Sequence, residues 1–348
     1  MKTAHRTVTA LIPAFNEAAS IERTIVSIKN QTYPIAEIIV IDDCSTDRTG
    51  ELAARLGATV LRTDRNQGAK ARAQAYALPF VETELFLTVD ADTVLAPDAV
   101  ELTIPSFEDD RVCCACGMVI PQKINTIWER ARLIEYLYGY EIVKSAQDSM
   151  HRVLVAPGCF TVFRTSLVVS FGGFDTRTMA EDMDLTWNLL EGGYRVAVVP
   201  EARCYPIEPS TFRIYVRQLD RWYRGFLQNI KVRHFNLFSK DPVFGLMVYY
   251  YVIAGFIGPI SIPLLFWAMI GSRIEALWVI PTGALTVHVL LTWIPALFKA
   301  RDLKITRIAL ASLAASLFVP FLNMAVYVRS VWREWILQDK LNQWQKGH

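Results

Sequence analysis

What this chain lacks is concentrated in its last third. From Pro242 to Ser272 there is no Asp, Glu, Lys or Arg in 31 residues; Ala276 to Phe298 is a second such run of 23, and Ile308 to Val328 a third of 21. A helix needs roughly 20 apolar residues to cross a bilayer. Each run is long enough, and three in succession, each bounded by charge, argue for spanning helices over a very hydrophobic core. His288, inside the second run, reads as facing a neighbouring helix rather than a ligand. Cysteine is scarce, six in 348 residues, and Cys113, Cys114 and Cys116 have no second pair at zinc-like spacing. They read as small core residues of a reducing compartment. No signal peptide precedes the first strand, since Met1 to Thr7 is short and polar. The N-terminal part is therefore expected in the cytoplasm. Internal repeats and low-complexity linkers are missing too, and the net charge of +2 decides nothing by itself.

What is present before residue 242 alternates. Val8–Ile12, Ile38–Ile41, Thr59–Leu61 and Leu85–Val89 are short apolar runs that read as strands. Helical stretches separate them. Asn16 is placed to cap one whose apolar residues Ile21, Ile25 and Ile28 follow helical spacing; Ser45 and Thr46 open another; and Gly68–Leu78 is Ala-rich. This alternation predicts a doubly wound, mostly parallel sheet, a Rossmann-like α/β fold. Ligands of such sheets bind at the carboxyl ends of strands, where Asp43 and Asp90 stand. Farther on, Ile127–Ala146 and Glu181–Leu190 read as helices, and Phe160–Phe163 and Val196–Val199 as strands.

Thr211–Lys231 is an amphipathic helix. Phe212, Tyr215, Val216, Leu219, Trp222, Tyr223, Phe226 and Ile230 form one stripe; Arg213, Arg217, Arg221, Arg224 and Lys231 make the rest basic, opposed by Asp220. Just ahead of a spanning segment, such a helix is expected to lie in the cytoplasmic membrane face. The alternative is an ordinary core-facing helix.

Asp90-Ala91-Asp92 follows a strand, and two carboxylates so spaced can share a hard divalent cation with a diphosphate. By itself the pair reads equally well as an Asp-rich turn. Asp42-Asp43 could hydrogen-bond a base or ribose, or be a plain helix-entry turn. Lys70 could meet a phosphate, or be a solvated helix lysine.

Together these residues resemble a known family. Leu11-Ile12-Pro13-Ala14-Phe15-Asn16-Glu17, Ile41-Asp42-Asp43-Cys44-Ser45-Thr46-Asp47 and Asp90-Ala91-Asp92 resemble the opening of family 2 glycosyltransferases of the GT-A fold. Ala180-Glu181-Asp182 resembles the family's Thr-Glu-Asp, and Gln218-Leu219-Asp220-Arg221-Trp222 its Gln-x-x-Arg-Trp, the mark of the membrane-bound branch of cellulose, chitin, hyaluronan and poly-N-acetylglucosamine synthases and ceramide glucosyltransferase. Pro157-Gly158-Cys159-Phe160-Thr161-Val162-Phe163-Arg164 is most similar to the poly-N-acetylglucosamine synthase type. The chain departs from the pattern at Ala180 for Thr, Cys44 for Gly and Arg72 for a small residue, and in having no spanning helix ahead of the transferase region.

The resemblance covers about Thr7 to Arg233; with the charge-free runs it gives an expected GT-A domain over residues 1–206, an interface-helix region over 207–241, about three transmembrane helices over 242–331 and a juxtamembrane tail over 332–348. It implies that Ala14, Glu17 and Asp43 surround the nucleotide base and ribose. Lys70 and Asp90 meet the diphosphate, Asp92 with Asp90 holds Mg²⁺ or Mn²⁺, and Gln218 and Arg221 face the diphosphate. Asp182 is the general base, Glu181 the next candidate, and Trp222 lines the acceptor site. A carboxylate at a helix start suits a proton acceptor, an Arg fork suits a diphosphate, and a Trp face suits a sugar ring.

The expected partners are a UDP-sugar donor, a saccharide or lipid acceptor, membrane lipids, and a second copy or a membrane partner; no nucleic acid is expected. The leading expectation is an integral membrane enzyme that inverts configuration and extends a β-linked polysaccharide. A single-addition transferase acting on a membrane lipid is the alternative. A catalytically inactive scaffold is a third reading, opposed by the retention of Asp43, Asp90, Asp92, Asp182 and Arg221.

Overall fold

The computed structural model describes residues 6–232, 239–256 and 279–339. They form two compact units. Of the described residues, the first comprises those up to 122 together with 144–207; the second takes 123–143 and 208–339.

The first unit is built on one eight-stranded sheet: β1 (Val8–Ala14), β2 (Glu37–Asp42), β3 (Thr59–Arg62), β4 (Leu85–Val89), β5 (Val94–Leu95), β6 (Val112–Val119), β7 (Phe160–Arg164) and β8 (Arg195–Tyr205). Their order is β3-β2-β1-β4-β7-β6-β8-β5. The half β3-β2-β1-β4 is parallel throughout. β7 runs antiparallel to both β4 and β6, and β8 lies parallel to β6. The expectation of a mostly parallel sheet is met in the first half, and antiparallel pairings enter with β7. β6 is buried along its whole length. A run apolar on both faces shows no alternation, so Cys113, Cys114 and Cys116 read as core without declaring a strand.

The connecting helices are α1 (Ile21–Lys29), α2 (Thr49–Arg55), α3 (Lys70–Ala77) and α4 (Ala99–Thr103). Ile21, Ile25 and Ile28 of α1 are all buried, as their spacing predicts. Phe86 stacks on Phe163 with ring centroids 5.2 Å apart, and Leu11, Ile39, Ile41 and Val196 join them in the core.

The second unit is helical: α5 (Ile127–Tyr138), α9 (Phe212–Val232), α10 (Pro242–Phe256), α11 (Val279–Asp302), α12 (Thr306–Ser312) and α13 (Ala315–Val331). α6 (Ser145–Ser149), α7 (Thr165–Ser170) and α8 (Glu181–Glu191) belong to the first unit. α5 opens with a capping box in which Thr126 and Glu129 satisfy each other's backbone N–H. It ends sooner than the predicted Ile127–Ala146 helix, passing into a π-helical turn at Gly139–Lys144.

The stripe of α9 is divided. Tyr215 and Leu219 pack with Ala131, Ala315, Val319 and Val326, whereas Phe212 and Trp222 stay exposed. Its basic face is divided too: Arg224 is fully buried and paired with Glu334 at 3.3 Å, where Gln228 also donates at 2.6 Å.

Among the described residues one helix, Ala315–Ile336, has the length and apolarity to cross a membrane. The third charge-free run is thus not one helix from Ile308: it turns at 313–314. There Ser312 and Ser316 hydroxyls bond back to the Ile308 and Leu313 carbonyls. Part of the first run, residues 257–272, lies outside the described residues, as do the side-chain surroundings of His288.

Candidate active site

The carboxyl ends of β1, β2 and β4 carry the motif residues. Asn16 does not cap α1, whose N-cap position is Ser20. It adopts φ +56° and joins two loops, donating its N–H to Ser45 Oγ at 3.0 Å and accepting the Thr46 N–H at 2.8 Å. Asn tolerates this left-handed conformation. Cys44 has φ +60° as well, the physical reason for the glycine that the family pattern has there.

Ala14 is buried at the end of β1, its carbonyl accepting the Asp43 N–H at 2.9 Å. Glu17 is buried; it accepts from Ser20 Oγ at 2.7 Å. Asp42 pairs with Arg62 and accepts the Ser45 N–H at 2.8 Å. Asp43 takes the Gln67 N–H on both oxygens, at 2.9 and 3.1 Å, and the Thr63 hydroxyl at 2.9 Å. It therefore orders the loop that leads into α3.

Lys70, first residue of α3, is the hub. Its ammonium donates to Asp90, donates to the Gly158 carbonyl at 3.2 Å, and lies 3.8 Å from Glu181. Burial pulls its pKa down, but Asp90, Glu181 and Asp182 outweigh burial and raise it, so the charge persists.

Asp182, in the first turn of α8, accepts the Gly158 N–H at 3.0 Å on Oδ2 and its neighbour Met183's N–H at 2.8 Å on Oδ1. One glycine peptide thus links lysine and carboxylate: Gly158 donates to Asp182 and accepts from Lys70. A Cβ at Gly158 would stand 2.8 Å from Lys70 Nζ, so a larger residue there would push the lysine tip aside. Lys70, Asp90, Gly158, Glu181 and Asp182 are brought together, and Gly158 had no assigned role in the sequence.

Asp90 remains 37% exposed, and Asp92 accepts from the Thr93 hydroxyl at 3.2 Å. Among the described residues no three His, Cys, Asp or Glu side chains gather as a metal site. A cation here would have these two carboxylates and take its other oxygens from phosphate and water. That donor set fits Mg²⁺ or Mn²⁺, which bind through one or two carboxylates plus substrate phosphates.

The Gln-x-x-Arg-Trp residues belong to the second unit, on α9. Gln218 accepts from Arg132 of α5 at 2.8 Å, and the Arg132 guanidinium lies over the Trp222 ring, 4.4 Å from its centroid. Arg132 and Glu208 were not singled out by sequence reading. No sequence signal marks them: Arg132 is one of six charged residues in the predicted Ile127–Ala146 helix.

The family model described as Glycosyl transferase family 2 matches residues 9–170. Over those residues the chain is similar to family 2 glycosyltransferases. The poly-beta-1,6-N-acetyl-D-glucosamine synthase of Staphylococcus aureus (strain COL) is 29% identical over 244 residues, 66% of this chain and 59% of that protein. The hyaluronan synthase of Streptococcus pyogenes is 28% identical over 267 residues, 71% of this chain and 63% of that protein. The chain thus spans less than two thirds of these relatives' length.

Among solved structures, a mannosyltransferase from Pyrobaculum calidifontis in complex with GDP-Man and Mn²⁺ superposes with a TM-score of 0.66 at 21% identity, covering 91% of this chain and 88% of that one. Glucosyl-3-phosphoglycerate synthase from Mycobacterium tuberculosis, in complex with Mn²⁺, UDP and its product, gives 0.50 at 16% identity over 66% of this chain and 81% of that one. These likenesses show the GT-A fold alone.

Proposed function

We propose that this protein is a membrane-anchored, inverting glycosyltransferase that takes its sugar from a UDP-sugar and extends a β-linked polysaccharide. The observation that carries the reading is the cluster at the strand ends. A buried, charged lysine is held between a strand-end carboxylate, Asp90, and a helix-start carboxylate, Asp182, through one glycine peptide.

Lys70 offers a fixed cation to the nucleotide diphosphate, and the motif resemblance offers Arg221 of α9 for the same role. Ala14, Glu17 and Asp43 border the base and ribose. When bound, a divalent cation on Asp90 and Asp92 offsets the charge that develops on the departing diphosphate. Asp182 takes the proton of the acceptor hydroxyl as that oxygen attacks the anomeric carbon. Two backbone N–H groups orient this carboxylate, so its reach is set by the fold. Trp222 offers the acceptor a flat apolar face.

The relatives favour a synthase, and the apolar outer residues Leu246 of α10, Leu291 of α11 and Phe318 of α13, all well exposed, suit lipid contact. The transferase domain is assigned to the cytoplasm, where activated sugars are made. A single addition to a lipid is the second reading. It is favoured by the cavity between α5, α11 and α13, which is about 170 Å³ and whose open surface is mostly apolar, though Glu135, Tyr138, Thr292 and Ser316 line it beside Ala131, Ile134, Val319 and Pro320. A crossing polysaccharide needs polar walls for its hydroxyls, and this cavity is too small and too apolar to be such a path.

The test is to incubate protein in lipid with labelled UDP-sugars and size the product. A ladder or long polymer is expected; a single sugar on extractable lipid establishes the second reading, and no transfer from any UDP-sugar refutes both.

A further inference from the structure

Arg132 has the surroundings of a working group rather than a structural one. It is 2% exposed, inside the second unit. Its guanidinium lies between two rings, 4.6 Å from the Tyr215 centroid and 4.4 Å from that of Trp222. It donates to Gln218 Oε1 at 2.8 Å and to Glu135 Oε2 at 2.6 Å. Its Nε is 3.7 Å from Glu208 Oε2, and both atoms are buried without a hydrogen-bond partner. A buried charge with an unfilled donor is costly, so stability alone would not select this cluster. Trp222, by contrast, is 36% exposed: the cation clads part of its ring and the rest meets solvent.

We propose that Arg132 is a positioning residue for the acceptor. It fixes the plane of the Trp222 ring by cation–π stacking and turns the Gln218 amide oxygen toward itself. Trp222 then presents a prealigned apolar face to a sugar ring. Planarity is what the task requires: a guanidinium can stack on a ring while donating in its own plane, and an ammonium cannot. The inference rests on Trp222 being the acceptor platform, and it moves Gln218 from the diphosphate to the support of Trp222.

The test is Arg132→Lys, which keeps the charge and loses the plane, compared with Trp222→Phe and the double variant in lipid-reconstituted full chain. The acceptor KM should rise about tenfold, with the donor KM unchanged. The double variant should cost little more than Trp222→Phe alone, because both changes remove one interaction. Trp222 emission, taken as the difference made by Trp222→Phe in each background, should become more open to acrylamide quenching in Arg132→Lys. Additive costs, or unchanged acceptor KM and quenching, overturn the proposal while the transferase reading stands. Absence of turnover in the unaltered chain overturns both.

Should Arg132→Lys fail to fold, Gln218→Met removes the acceptor of the clamp while leaving the ion pairs of Arg132. A rise in acceptor KM supports the inference; a rise in donor KM instead returns Gln218 to the diphosphate and refutes it.

Discussion

Replacing Asp182 by Asn removes a charge and hardly alters shape, so it separates proton transfer from binding. In the native site Oδ2 accepts from Gly158 N–H and Oδ1 from Met183 N–H. An asparagine has one acceptor oxygen. If that oxygen keeps the Met183 N–H, its amide points donors at the Gly158 N–H, and a charge-assisted bond becomes a mismatch. That costs about 1–3 kcal/mol of local stability, visible as an earlier melt of the first unit. Lys70 keeps Asp90 and Glu181, so the cation for the diphosphate survives. Nucleotide affinity, measured by calorimetry with Mg²⁺ and UDP, is therefore expected to stay within a few-fold. Transfer should fall by about 10²–10⁴, equivalent to about 3–5.5 kcal/mol in the barrier. The assay is label transfer from a UDP-sugar at saturating donor. Turnover near that of the unaltered chain would refute the assignment and move the base to Glu181; loss of UDP binding would mean that the carboxylate serves the nucleotide instead.

Excess chelator should abolish transfer and Mg²⁺ or Mn²⁺ restore it, with Asp92→Asn at least about tenfold weaker at subsaturating metal; full turnover in chelator would count against the cation site. Gly158→Ala drives a methyl to 2.8 Å from Lys70 Nζ and should raise the donor KM by about tenfold or more, a shift of roughly 1.4 kcal/mol; an unchanged KM would show that Lys70 does not meet the donor. Cys44→Gly relieves a left-handed residue that costs about 1 kcal/mol and should melt at the same temperature or slightly higher, while Cys44→Val melts lower; the opposite order would contradict the backbone argument. Burial raises the Glu208 carboxyl pKa against the pull of Arg132 and Tyr136. A carboxyl that binds its proton more tightly when folded costs stability as pH climbs from the unfolded value, about 4.3, through the folded one. Glu208→Gln should flatten that fall in a pH series of thermal melts, and a slope identical to the unaltered chain's would discount Glu208 as its source.

Much of the first unit could be read directly. β1, β2 and β4 are short apolar runs, the last two ending at aspartates, and Ile21, Ile25 and Ile28 mark one buried helix face. These are local patterns, fixed by side-chain period and by the low tolerance of a sheet interior for charge. Family motifs then pointed to Asp43, Asp90, Asp92 and Asp182 because each stands where a strand or helix begins or ends. Even so, Asn16 was taken for a cap, because an Asn ahead of a helix serves equally as a left-handed loop residue, and which role it takes depends on Ser45 and Thr46 about 30 positions later.

Sequence alone determined the alternating α/β order, the separation of a polar first part from an apolar last third, and the identity of the strand-end carboxylates. All of these follow from interactions within a few residues. Tertiary structure decided the rest, because it depends on which distant surfaces fill the same space. It set β6 and β7 in a mixed sheet and buried Tyr215 and Arg224 of a helix whose composition reads as interfacial. It joined Lys70 to Asp182 through the peptide of Gly158, and laid Arg132 against Trp222. No period in the sequence marks Gly158 or Arg132. A backbone N–H has no residue signature, and a buried arginine looks like a solvated one until the ring that covers it is in place.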